Sequence, residues 1–153
     1  MNGQKQNEQY WGAFFEEFPC DELGLKRPSI YDSHYRDFRM KKLTGCYIRV
    51  SQRVRVPQPA KPGICAAFVM KGSAQDFFHS LIEQQTEIEN ELGENFYCHE
   101  VVQGETQLYV KLKDCDVTEK TDWPRQHEWL AMKVEKLNEV FRPRIESLVG
   151  FKE

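Results

Sequence analysis

Residues 46–56 read CYIRVSQRVRV and alternate between apolar and polar side chains almost without interruption. Successive side chains of a strand point to opposite faces, so a period of two predicts a strand whose apolar side faces a core. The other side then carries Tyr47 together with Arg49, Arg53 and Arg55. The stretch predicts a half-buried sheet, and it raises the question of what the arginines contact.

Helix and strand patterns surround this strand. Aromatic or apolar side chains at helical spacing predict helices over residues 7–18, 73–93 and 122–148, with Pro143 kinking or ending the last one just before it. Residues 35–43 and 64–70 predict strands, and residues 95–102 and 106–113 predict a hairpin. We therefore expect one α+β domain over residues 1–153, with residues 1–6 and 150–153 flexible. Its order is α-β(β)-β-α-β-β-α, with a mainly antiparallel sheet of about four to five strands and three helices.

Composition places the chain among globular proteins. Its 153 residues suit one domain, and 40% are hydrophobic and 29% charged. No apolar run approaches the ~20 residues that span a bilayer, and the N-terminus lacks an apolar signal core. The five cysteines form no CxxC pair, which favours reduced thiols over a disulfide scaffold. We expect a cytoplasmic protein with no membrane partner.

Charge is distributed unevenly along the chain. Residues 26–61 hold ten basic and two acidic side chains, a net charge of +8, whereas the remainder holds 11 basic and 22 acidic side chains, a net charge of −11. Such asymmetry is typical of a protein that binds a polyanion. The alternative is internal pairing, in which the acidic part of the chain neutralises the basic part.

Catalytic motifs are incomplete. The run HEWLA begins at His127 like a zinc-protease helix, but Ala131 occupies the place of the second histidine. Cys98 and His99 are neighbours on a predicted strand and point to opposite faces, so they do not converge on one metal ion. In YVKLK, Lys111 stands where a restriction-type nuclease needs a carboxylate. We expect no metal and no cofactor; whether the chain is an enzyme stays open, with a non-catalytic role favoured.

The basic segment supplies the candidate binding site. Arginine forks match phosphate geometry, and an aromatic ring beside them can stack on a base. The sequence therefore predicts a nucleic-acid-binding strand face, for DNA or RNA. Its candidate residues are Arg39, Lys41, Lys42, Tyr47, Arg49, Arg53 and Arg55.

Two other interpretations of this face remain open. It can meet an acidic helix face on the same chain or on a second copy, which would make the chain a protein-interaction module or a homodimer. It can also be simply solvated, as one face of an antiparallel sheet often is. The acidic face consists of Glu83, Glu87, Glu89 and Glu91.

Three blocks of sequence carry a family resemblance. They are YWGAFFEEF with LKRP (10–18 and 25–28), AQDFFHSLIEQQTEIENELGE (74–94) and TEKTDWPRQHEWLAMKVEKLNEVFRPRIESL (118–148). Together they resemble a prokaryotic domain-of-unknown-function family over about residues 9–148. Members of that family often form the C-terminal part of restriction-type, PD-(D/E)XK-like nuclease proteins. The resemblance implies an accessory module linked to DNA processing or defence, with a nuclease-type protein as a partner, and it supplies no catalytic residues.

Overall fold

The computed structural model describes residues 3–28, 34–54, 61–101 and 104–150. Six strands in these ranges form one antiparallel sheet, and their order across it is first, second, third, fourth, sixth, fifth. They are β1 (Leu25–Lys26), β2 (Tyr35–Met40), β3 (Cys46–Val54), β4 (Lys61–Lys71), β5 (Tyr97–Val101) and β6 (Glu105–Lys113).

Four α-helices complete the described part of the chain, and their apolar side chains join a single core on one face of the sheet. They are α1 (Gly3–Glu17), α2 (Phe78–Glu83), α3 (Gln85–Leu92) and α4 (Trp123–Gly150). The predicted α+β class and antiparallel sheet are confirmed. The predicted counts are wrong, because the described residues form six strands and four helices rather than four to five strands and three helices.

Two short elements account for the miscount. The strand β1 has only two residues, but Leu25 is fully buried and pairs with Met40 at the edge of the sheet. The helix predicted over residues 73–93 is instead a 3₁₀ turn at Gly72–Phe77 followed by α2 and α3, which are separated at Gln84. Apolar spacing continues across that break, since Leu81 and Ile88 are both buried, and so periodicity alone does not reveal it.

The helix α4 continues through Pro143, so of the two predicted outcomes, a kink or an end, the helix end does not occur. A proline removes one main-chain hydrogen bond and normally breaks a helix. Here the turn beyond it is held by side chains: Ile145 is fully buried, and the Arg144 guanidinium donates to the Val140 carbonyl at 2.8 Å and to Glu91 of α3 at 2.8 and 2.9 Å. Tertiary contacts therefore outweigh the helix-breaking preference of Pro143.

From Cys46 to Val50 the predicted alternation in β3 is confirmed, and it separates the two faces of the sheet. Cys46, Ile48 and Val50 are fully buried in the core beneath the helices. Tyr47 and Arg49 lie on the opposite face, which we call the open face because no helix of the described chain packs its core residues there.

We expect Gly45→Ala to lower the free energy of unfolding by about 2 to 3 kcal/mol. Gly45 has φ +80°, and an added Cβ would lie 2.7 Å from the Lys71 carbonyl oxygen and 3.0 Å from the Ala74 Cβ. Gly93 has φ +81° with no heavy atom within 4 Å of its added Cβ, so Gly93→Ala isolates the conformational cost of about 1 kcal/mol. Urea unfolding of both variants measures the difference, and equal losses would contradict the steric explanation.

Candidate functional site

One row of residues crosses all six strands on the open face. Strand register places Lys26 beside Arg39, Arg39 beside Tyr47, and Tyr47 beside Val69. The row continues from Val69 through Gln107 to His99 at the far edge. Adjacent strands lie about 4.8 Å apart, so the row spans roughly 24 Å. The cations Lys26 and Arg39 stand at one end and are exposed.

Arg49 lies at the centre of the open face and is only 9% exposed. Its Nε and Nη2 donate to the two carboxylate oxygens of Asp37 at 2.6 and 3.1 Å, and its Nη1 and Nη2 donate to those of Glu105 at 2.6 and 3.0 Å. Lys71 adds a bond from Nζ to Asp37 Oδ2 at 3.1 Å. Two cations and two anions make this four-residue cluster, the Arg49 cluster, neutral overall.

The Arg49 cluster crosses a strand. Glu105 lies on β6 and Arg49 on β3, while β4 runs between them. The pair therefore meets above β4, where the open-face side chains are the small Ala67 and Val69, 2% and 0% exposed. Buried charges stabilise a fold only when they are paired and hydrogen-bonded, and each polar group here meets that condition.

Charge pairing sets the ionisation of both carboxylates. Burial raises the pKa of Asp37, but the hydrogen bonds and charges of Arg49 and Lys71 outweigh burial and leave that pKa below its ordinary value. The same balance leaves the pKa of Glu105 lowered, with Arg49 as the main opposing group. Both groups are therefore ionised near pH 7, and the guanidinium of Arg49 is fully engaged by them.

The structure groups some of the sequence-predicted residues and separates others. Arg39 and Tyr47 are direct neighbours across β2 and β3. Lys41 and Lys42 lie in the turn after β2 rather than on a strand; both are exposed, and Lys41 is 3.6 Å from Asp21. Arg49 faces its two carboxylates rather than solvent. The side chain of Arg53 and the whole of Arg55 lie outside the described residues.

Strand pairing adds residues that the sequence did not single out. Lys26 joins Arg39 because β1 pairs with β2. A strand of only two residues has no recognisable pattern in a sequence, so this pairing could not be predicted. The ammonium of Lys71 lies 4.4 Å from the centroid of the Tyr47 ring. The sequence signal that could have identified Lys71 is its place at the end of an apolar strand run, because such a lysine marks where the strand reaches solvent.

A second basic and aromatic group lies at the other end of the open face. The Tyr97 ring is 44% exposed and stacks on Tyr109 with 5.4 Å between centroids. Lys111 Nζ lies 4.3 Å from the Tyr97 centroid. Tyr97, Lys111 and Lys113 line a depression of about 440 Å³. The remaining lining residues are Glu94, Asn95, Leu112 and Asp114.

The histidine and cysteine motifs do not assemble into a metal site. Cys98 pairs with Leu108 and His99 with Gln107, so the two point to opposite faces of β5. Among the described residues, no group of three or more histidine, cysteine, aspartate or glutamate side chains is arranged to hold a metal ion. None of the described helices has an apolar stretch of membrane-spanning length.

We expect the free energy of unfolding to fall as the pH drops below about 5. The pKa values of Asp37 and Glu105 are lowered in the folded state, so their contribution is complete above the unfolded pKa values and disappears as the pH falls through the folded ones. Asp37→Asn should make this dependence shallower. Urea unfolding between pH 7 and pH 3 measures it, and identical slopes for the variant and the wild type would contradict this role.

Comparison with known proteins adds one relationship. A family model described as "Domain of unknown function (DUF4268)" matches residues 6–145. No curated protein and no solved structure matches the chain.

Proposed function

Because the chain belongs to this family of unknown function, we propose its function from the open face itself: it is a non-catalytic module that binds single-stranded nucleic acid there. The observation that carries the proposal is the placement of cations beside tyrosines at both ends of the open face. Lys26, Arg39 and Tyr97 are exposed, and Tyr47 and Lys111 are partly buried. Lys26, Arg39 and Tyr47 form one end, and Tyr97 and Lys111 form the other.

Single strands suit this arrangement better than duplexes do. Proteins that bind single strands combine cations that follow the phosphates with aromatic rings on which unpaired bases stack. Tyr97 offers an exposed ring, and the depression beside it brings Lys111 and Lys113 close to any base stacked there. In a duplex the base faces are stacked on one another, so the tyrosines would have no face to contact.

The Arg49 cluster supports the site without binding phosphate. A neutral, hydrogen-bonded centre holds β2, β3 and β6 in place beneath the ligand, and it leaves phosphate contacts to the two ends. The resemblance to the C-terminal parts of restriction-type nucleases supports a role beside DNA processing or defence, with a nuclease-type protein as the catalytic partner.

Charge reversal at both ends tests the proposal. The fluorescence anisotropy of a labelled single strand of about 12 nucleotides, DNA or RNA, would be titrated at two salt concentrations. We expect Arg39→Glu with Lys111→Glu to weaken binding at least about tenfold and to reduce the dependence of log affinity on log salt by about 1 to 2. The control is Lys5→Glu with Lys136→Glu, which makes the same charge change on α1 and α4.

Two results would overturn the proposal: an absence of binding by the wild type at low salt, or an equal loss in the control variant. Preference for the matching duplex over the single strand would overturn the stacking mechanism specifically.

We expect Tyr97→Ala to weaken single-strand binding by about 1 to 3 kcal/mol, since that is the usual contribution of one stacked base. Tyr97→Phe keeps the aromatic ring and should bind within about twofold of wild type. The same anisotropy titration measures both variants. A similar loss in both would show that the hydroxyl, rather than the ring, carries the contact.

A protein-interaction module is the second candidate. The helix α3 packs its buried Ile88 and Leu92 into the core beneath the sheet, so its glutamates and the open face of one chain point in opposite directions. Glu91 already pairs with Arg144, while Glu83 and Glu87 are exposed. Only a second copy can therefore bring the two faces together. Sedimentation velocity at low and high salt tests the homodimer form of this candidate, because a monomer at every concentration excludes that form.

A further inference from the structure

A cleft separates α1 from the first turns of α4, on the opposite side of the molecule from the open face. Its volume is about 540 Å³, within the range of small-ligand pockets. The walls are mainly aromatic, with Phe14 and Phe18 on one side and Trp123 on the other. The polar part of the lining consists of Glu17, Lys120, His127 and Glu128.

The rim of the cleft has more negative than positive charge. Glu17 and Glu128 are exposed carboxylates, and Lys120 is the single cation in the lining. The ammonium of Lys120 lies 5.8 Å from the centroid of the Trp123 ring and donates to Gln9 at 3.1 Å. The indole face of the cleft thus already has a cation near it, which is the contact that an aromatic face favours.

His127 contributes a neutral and largely enclosed ring to the cleft wall. Its ring is enclosed by Tyr10, Phe14 and Trp123, with centroids 4.5, 5.6 and 6.0 Å away. Burial lowers the pKa of His127 to about 4, against an opposing hydrogen bond with the backbone of Tyr10, so the ring is neutral near pH 7. Its Nε2 is shielded from solvent and has no hydrogen-bond partner among the described residues.

We propose that this cleft receives an arginine side chain of a partner protein. A guanidinium stacks on aromatic rings, donates up to five hydrogen bonds and is attracted by carboxylates, so it complements the indole of Trp123 and the rim of Glu17 and Glu128. Lysine binds aromatic faces less well than arginine, because its ammonium is compact and strongly hydrated. The site lies apart from the open face and does not depend on nucleic-acid binding.

A blocked glycine-arginine-glycine peptide is the probe, and its citrulline counterpart keeps the shape without the charge. The readout is the indole N–H signal of Trp123 in a proton–nitrogen correlation spectrum, since that group donates to the Val117 carbonyl at 2.7 Å and lies beside the cleft. The arginine peptide should shift this signal saturably, and the citrulline peptide should not. Equal shifts from both peptides, or from neither, would overturn the proposal.

Two variants should act in opposite directions. Glu17→Gln with Glu128→Gln removes the attracting carboxylates and should weaken peptide binding about fivefold. Lys120→Ala removes the competing ammonium beside Trp123 and should strengthen binding about twofold. All three side chains are exposed, so the fold is retained in both variants. Losses in both, or no change in either, would assign the peptide to another surface.

Discussion

Replacing Arg49 by methionine should lower the free energy of unfolding by about 3 to 5 kcal/mol. Methionine keeps much of the volume of the arginine stem but leaves Asp37 and Glu105 buried together with only Lys71 to neutralise them. Both carboxylate side chains are 16% exposed, so water screens their mutual repulsion weakly. Urea or thermal unfolding followed by circular dichroism at pH 7 measures the loss.

Matched variants separate this effect from the loss of a surface arginine. Arg39→Met removes an exposed arginine from the neighbouring strand and should change stability by no more than about 0.5 kcal/mol. Adding Asp37→Asn and Glu105→Gln to Arg49→Met removes the two carboxylate charges that have lost their arginine partner. The triple variant should therefore recover part of the lost stability. A methionine variant as stable as wild type would show that Arg49 is not neutralised within the sheet.

The Phe141→Ala substitution should cost about 3 to 5 kcal/mol through a cavity in the main core. The Phe141 side chain on α4 is fully buried and stacks on Phe68 of β4, with 4.6 Å between centroids and 4° between planes. This pair joins the longest helix to the centre of the sheet, so surrounding side chains have little freedom to fill the space.

Met132→Ala is the control on the same helix, since Met132 is 56% exposed and should change stability by about 0.5 kcal/mol or less. Urea unfolding of both variants gives the comparison. A loss below about 1 kcal/mol for Phe141→Ala would show that the helix and sheet can repack around the missing ring.

The elements that repeat regularly were the ones that the sequence predicted well. The aromatic stripe of α1 and the alternation of β3 each extend over several repeats, so a single irregular residue does not obscure the period. The break at Gln84 and the two-residue β1 are too short to have a period of their own. They form because neighbouring chain segments hold them, through contacts that only the folded structure supplies.

The candidate site was predicted only in outline, for the same reason. Arg39 and Tyr47 could be placed on adjacent strands, but their pairing with Lys26 depends on β1. The charge pairing of Arg49 depends on Glu105, which is 56 residues later in the chain and two strands away in the sheet. A charge count over residues 26–61 cannot contain that carboxylate. The two alternatives for the basic segment were internal pairing and an exposed basic surface. The structure combines them, because Arg49 is paired and Arg39 is exposed.

The crossing of β4 by the Arg49–Glu105 pair has a consequence for how the sheet selects its alignment. A strand that slips by two residues keeps every apolar side chain on the helix side, so hydrophobic burial barely distinguishes the slipped sheet from the correct one. A two-residue slip of β2 would place Tyr35 or Arg39 opposite Arg49 instead of Asp37. The cluster would then lose a carboxylate while its charges stayed buried. The four ionic side chains thus favour the observed strand register over shifted registers that hydrophobic patterning alone would allow.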